Sequence, residues 1–270
     1  MKKPSVKAKY KYSEFKPPVK LSGAVEKIWV FESSDSLLDK LSYNIIPDYT
    51  ASFILIFPLK TNQLRLYITG PNTCNFPFEN FSNQITFGFR FFPHYVSLLK
   101  GVKPKDTLNN KINLYKHISP DAIELLKLKL YEAVTLRKKI SAISDFIAPY
   151  LNKIGIVHDE ITLIIDKIVS SGGTLKLEEI YSTLAISQRQ FQRNFIKRTG
   201  LSPKEFSRIV RFHKVTRKLV RNNFRHFDTL VESGYYDQSH YYREFKEFLG
   251  MLPTRFESRQ KKISHEKLLE

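Results

Sequence analysis

Two stretches of this chain, SQRQFQRNFIKRTGLSPKEF from 187 and GYYDQSHYYREFKEFLGMLPTRF from 234, share one layout: a polar capping residue followed by a helical stripe of aromatic side chains. In the first, Ser187 is suited to cap a helix while Ile186, Phe191 and Phe195 turn inward, which leaves Arg189, Gln192 and Arg193 on the outer face. In the second, Asp237 or Ser239 is the cap and Tyr241, Phe245 and Phe248 form the inward stripe. Gln238, His240, Tyr242, Arg243 and Lys246 then stay available, with Tyr235 inward. An outward cluster of Arg and Gln on a helix after a turn is what entry into the major groove requires. Arg forks onto guanine and Gln onto adenine, whereas Lys197 and Arg198 further along suit phosphates. The segments therefore read as two helix-turn-helix units. The 51 residues from Gln192 to Arg243 leave room for a rigid connecting helix that sets the readers about one DNA turn, roughly 34 Å, apart.

Charge points the same way. With 44 Lys and Arg against 26 Asp and Glu, the net charge is +18 and the pI near 9.8. An anionic partner is expected, nucleic acid more simply than an anionic membrane surface. Between 187 and 225, twelve basic residues, eight of them Arg, stand against one acid, Glu205, and read as a phosphate footprint. The seven Lys from 2 to 20 show no amphipathic pattern and read as a solvated, flexible tail. That tail has no apolar core, and no run approaches the roughly 18 apolar residues of a spanning helix, so no membrane association and a cytoplasmic location are expected.

Enzyme chemistry finds little support. There is no glycine-rich phosphate loop, no H-E-x-x-H and no helical carboxylate pair, and His94, His117 and His158 are spread without metal-ligand spacing. The one cysteine, Cys74, excludes a disulfide framework or a cysteine zinc site within the chain. Neither metal nor cofactor is expected.

At 270 residues and 42% hydrophobic content, the chain can bury two cores. EKIWVFES, ASFILIFPL, QLRLYITG and NQITFGFRFFP are short β-branched and aromatic runs broken by Pro47, Gly70-Pro71, Pro77 and Pro93, so a small sandwich or barrel is predicted. Phe53, Phe57, Phe87, Phe89 and Phe91 either line an apolar pocket there or are its core. After Pro104 the period becomes helical. Helices are predicted from 120 to about 138 and from about 140 to 151, their Leu and Ile stripes read as internal core more readily than as a dimer seam. Further helices are expected over 159–169, which ends at Ser170-Ser171-Gly172-Gly173, over 177–184 and 187–198, and from Pro203 as the connector. Beyond it they are expected over 228–232, from Asp237 to near Gly250, and over 253–259.

The residues that carry these signals match a known family. S-x-x-x-F-Q-R-x-F at 187–195, G-L-S-P-x-x-F at 200–206, R-x-x-x-V-x-x-K-L at 211–219 and G-Y-Y-D-Q-S-H-Y-x-R-E-F from Gly234 resemble the AraC/XylS-type transcriptional regulators. The resemblance covers about a hundred residues in the right order. It implies a bundle of about seven helices holding two helix-turn-helix units, preceded by a jelly-roll-like sensory domain, an α+β chain overall. Weaker echoes in that sensory part are the I-W-V around Trp29, I-I-P-D at 45–48, G-P-N-T at 70–73 and F-G-F-R-F-F-P at 87–93, where Tyr49 stands in place of the usual turn glycine.

The division implied is a basic tail to 20, a β-rich regulatory domain over 21–118, a helical connector over 119–156, the DNA-binding domain over 157–260 and a frayed tail over 261–270. The resemblance carries base contacts onto Arg189, Gln192 and Arg193, with Ser187, Gln188 and Lys197 beside them. In the second unit the candidates are Gln238, Ser239, His240, Arg243 and Lys246, for base or phosphate. Duplex DNA is the expected partner, with RNA polymerase, a small-molecule effector and a second copy of the chain left open. Tyr181 and Leu230 stand where the family has a small Ala, and Leu252 where it has a capping Ser or Thr before Pro253. These departures support the rival reading of a degenerate helix-turn-helix protein acting mainly through protein partners.

Overall fold

The computed structural model describes residues 10–33, 40–95, 102–151, 159–221 and 234–263. Its first half is an antiparallel β unit. Strands β1 (Tyr10–Phe15), β2 (Val25–Ser33), β4 (Ser52–Pro58), β5 (Arg65–Thr69), β7 (Gln84–Phe91) and β8 (Lys111–Asn113) form one sheet in the order β1-β2-β7-β4-β5-β8. A separate ribbon pairs β3 (Lys40–Ile45) with β6 (Phe76–Phe81). The central strand β7 is buried along its whole length, which is why its sequence is a continuous apolar run rather than an alternating one. Within it Gly88 lies opposite Trp29, and a Cβ there would stand 1.9 Å from the indole, so the glycine makes room for the ring.

Residues 10–15 are the edge strand of the sheet, not part of a solvated tail, so the β unit begins at Tyr10 instead of Leu21. The lysines obscured a strand: Lys11 pairs with Glu32 at 3.7 Å and Glu14 with Lys27 at 2.6 Å across β1 and β2, and Phe15 packs on the core.

Two helices cover the β unit. Helix α1 (Pro104–Thr107) is a single turn. Helices α2 (Pro120–Glu132) and α3 (Leu136–Leu151) bury Ile123, Leu126, Leu130, Ile140, Ile143 and Ile147 in the core that holds Phe53, Phe57, Phe87, Phe89 and Phe91. These stripes and all five phenylalanines are therefore core. The break between α2 and α3 falls before 138, at Ala133–Thr135, because the Thr135 hydroxyl accepts the Lys138 amide at 3.2 Å and starts a new helix.

The second half is helical: α4 (Glu160–Ser170), α5 (Leu177–Tyr181), α6 (Gln188–Thr199), α7 (Pro203–Arg221), α8 (Gln238–Leu249) and α9 (Pro253–Ile263). Asp159 caps α4 by accepting the Thr162 amide at 2.9 Å, and Gly172 and Gly173, both at positive φ, close it. Helix α5 stops at Tyr181, short of 184, because the Ser182 and Thr183 hydroxyls turn back to the carbonyls of Glu179 and Ile180. Helix α9 runs past the expected end at 259, so residues 261–263, expected in a frayed tail, are helical, and 264–270 lie outside the described residues. The expected helix over 228–232, and Leu230 with it, lies outside the described residues.

The two halves touch. Ile46 joins the helical core, and the Tyr49 ring meets Phe206 at 5.6 Å and His213 at 5.5 Å, both on α7. The loop carrying Tyr49 is held by Asp48, whose carboxylate accepts the Thr50 amide at 3.1 Å and pairs with Arg90 at 2.9 Å. Where the family has a turn glycine, an aspartate-stabilised turn presents a tyrosine to the helical unit.

Candidate nucleic-acid interface

Helix α6 begins as its sequence demands. Ser187 has extended backbone angles and its hydroxyl accepts the Gln190 amide at 3.3 Å, while Gly200 ends the helix at φ +82. Phe191 and Phe195 are fully buried, and their rings run on into Phe206 of α7, 5.4 Å from Phe195. That leaves Gln188, Arg189, Arg193 and Lys197 exposed and Gln192 half-buried beside Tyr181. Arg193 is steadied by the Gln190 side chain, which accepts from its guanidinium at 2.7 Å. Removing the cap by Ser187→Ala is expected to cost about 1 kcal/mol of stability, read by chemical denaturation.

Helix α8 repeats the plan with Asp237 as the cap, accepting the His240 amide at 2.6 Å. Ser239 is not the cap. Tyr241, Phe245 and Phe248 are buried against Phe212 of α7, with ring centroids 6.1, 5.4 and 4.8 Å away, and Tyr235 is buried beside them. Gln238, Ser239, Arg243 and Lys246 are exposed, and His240 is half-buried with its ring edge-on to Tyr235. Each set of candidate contacts thus shares one helix, and both helices are seated on α7.

The basic footprint is thinner than its sequence. Arg198, expected at phosphate, is tied to Asp159 at 2.6 Å and to the Thr162 hydroxyl at 3.2 Å. Arg208 donates to Glu244 at 2.8 Å and to Glu247 at 2.7 Å, and Arg211 reaches Glu244 at 3.4 Å. These three arginines hold helices together. The sequence reading missed Glu244, which is 3% exposed and lies on the inward face of α8 between Tyr241 and Phe248. An acid within an apolar stripe was the signal available. Of the departures from the family pattern, Tyr181 is absorbed edge-on against Phe191 at 6.0 Å, while Leu252 leaves α9 without a side-chain cap.

Among the described residues no group of three or more His, Cys, Asp or Glu could hold a metal, and no helix is long and apolar enough to cross a membrane.

Residues 181–259 match a family model described as a helix-turn-helix domain (HTH_18), and residues 13–113 match a domain of unknown function (DUF6597). No curated protein matches the chain in sequence. Similar solved structures include ToxT from Vibrio cholerae at 11% identity and a TM-score of 0.44, covering 93% of this chain and 98% of that one. Another is unsaturated fatty acid bound ToxT from Vibrio cholerae at 12% identity and a TM-score of 0.42, covering 95% and 97%. So remote a likeness fixes neither ligand nor site.

Proposed function

We propose that this chain, whose residues 181–259 match a helix-turn-helix domain, is an AraC/XylS-type DNA-binding transcriptional regulator that reads duplex DNA by sequence, entering two successive major-groove segments with α6 and α8. The observation that carries this is the pair of capped helices, each with an exposed polar edge, seated through aromatic rings on the same helix α7. Arg189, Gln192 and Arg193 are the base-reading side chains of α6, with Ser187, Gln188 and Lys197 at its margin. Gln238, Ser239, His240, Arg243 and Lys246 serve α8. Control by the N-terminal unit is supported by the seat of Tyr49 against Phe206 and His213, since a shift of that loop acts directly on the helix that carries both readers.

The test is binding to a selected site and to unrelated duplex across a salt series. A reader neutralising about 6–10 phosphates loses roughly 10³–10⁵ in affinity between 50 and 200 mM salt and keeps its sequence preference. Arg193→Ala is expected to lower preference at one base pair by about 1–3 kcal/mol in competition binding. Weak, salt-insensitive and sequence-blind association would overturn the reading in favour of a partner-binding module.

A further inference from the structure

The strongest unassigned cluster lies where α8 meets α7. Glu244 is 3% exposed and lines the same cleft as His240 and Arg243. One carboxylate oxygen takes Arg208 at 2.8 Å and Arg211 at 3.4 Å, and the other takes the Tyr235 hydroxyl at 2.5 Å. Both arginines come from α7 and stack on aromatic rings of the second unit, Arg208 over Phe248 at 5.2 Å and Arg211 over Tyr235 at 4.9 Å. The same arginines border a cleft of about 650 Å³ between α5, α7 and α8, whose wall also includes Lys176, Lys204 and Arg243 with the acids Glu178 and Glu247.

A buried ion cluster is a poor source of net stability, because desolvation consumes most of its attraction. It is a good source of a unique geometry. A helix held only by aromatic rings can slip or rotate among neighbouring packings, whereas a carboxylate that must meet two guanidiniums and a phenol has one angle at which it does so. Rotation of α8 about its own axis aims Gln238, Ser239, His240 and Arg243 together. The acid has a second consequence: Arg211, and with Glu247 also Arg208, is withheld from phosphate beside a cleft that carries both cations and acids.

We infer that Glu244 is a specificity-determining positioning residue, which fixes the rotation of the second reading helix and keeps Arg211, and together with Glu247 also Arg208, from contributing sequence-blind phosphate contacts. This rests on the proposed reading of DNA by α6 and α8.

The two effects of losing the acid have opposite signs, which separates this role from ordinary structural support. In the full-length protein Glu244→Gln is expected to bind unrelated duplex more tightly and with a steeper salt dependence, while its preference for the selected site falls about tenfold. Arg208 keeps Glu247 at 2.7 Å in that variant, so adding Arg211→Gln to it should return the salt slope towards that of the unaltered protein. Arg208→Gln alone is the second measurement, usable even where Glu244→Gln fails to fold. It is expected to leave the salt slope unchanged and to lower discrimination. A slope that falls by about 0.9 in Arg208→Gln would make Arg208 a phosphate contact and overturn the proposal. Unaltered discrimination in a folded Glu244→Gln would also overturn it, as would equal loss of specific and non-specific binding. If the unaltered protein shows no sequence preference, the DNA-reading function itself fails, a result separate from all of these.

Discussion

Phe212→Ala is expected to destabilise the helical unit by about 3–5 kcal/mol and to shorten its footprint on DNA to the part read by α6. Phe212 is fully buried on α7, and its ring lies against Phe248, Phe245 and Tyr241, the inward stripe of α8. Truncation forfeits the transfer energy of the ring and leaves a void that three large, interlocked neighbours cannot close without moving. Aromatic pairs of this kind contribute roughly 0.5–1.5 kcal/mol each beyond their buried area, which places the loss in the upper part of the core range. The damage is local. The seam between α6 and α7 runs through Phe195 and Phe206, and neither touches Phe212 in a ring pair. Chemical denaturation reads the first effect and footprinting on a selected site the second. A full-length footprint with less than about 1 kcal/mol lost would show that α8 is held by something other than this seam.

The α6 and α8 sides of these seams were legible in the sequence, because their signals are local, whereas Phe212 on α7 was not singled out. Ser187 and Asp237 announce their helices through a short side-chain oxygen ahead of an apolar period, and Phe191, Phe195, Tyr241, Phe245 and Phe248 repeat at helical spacing. What escaped was decided by partners far along the chain. Glu244 reads as a solvated acid until Arg208 and Arg211 are brought to it from 36 and 33 residues away. The same contacts remove these arginines from the phosphate footprint, which a count of charges could not foresee. β1 escaped because its lysines suit a tail as well as an edge strand, and only the facing Glu32 of β2 and the Glu14–Lys27 pair distinguish the two.

Tyr49 is the clearest case of a signal read locally and explained elsewhere. In sequence it is only the residue where a turn glycine is usual. In the structure Asp48 supplies the turn through its carboxylate, which frees position 49 to carry a ring, and that ring finds α7. The contact also buries His213, which is 7% exposed, and a pH dependence is expected from it.

Lowering the pH from 7 to about 4.3 is expected to weaken the packing around His213 by about 3 kcal/mol. Burial disfavours the imidazolium, Arg90, Arg217 and Lys27 repel it, and Asp48 offsets only part of this, so the His213 pKa falls from 6.5 to about 3. The sign follows from proton uptake. Above about pH 6.5 the ring is neutral whether packed or released, and pH has no effect through it. Below that the released form takes a proton that the packed form refuses, so stability is lost at about 1.4 kcal/mol per pH unit until the packed ring also titrates near 3. Asp48 acts in a separate window. Although burial raises its pKa, Arg90, His213 and its bonds to Thr50 hold it below the ordinary 3.8, so its contribution is lost only as pH falls through that lower range. Between pH 6.5 and 4.5 the slope added by this cluster therefore belongs to His213. Because the ring faces Tyr49, the first structure released is the contact between the β unit and α7, which hydrogen exchange in the Tyr49 loop should register before global unfolding. His213→Gln is expected to flatten the dependence over this range. The same slope in that variant would assign the acid sensitivity to other groups.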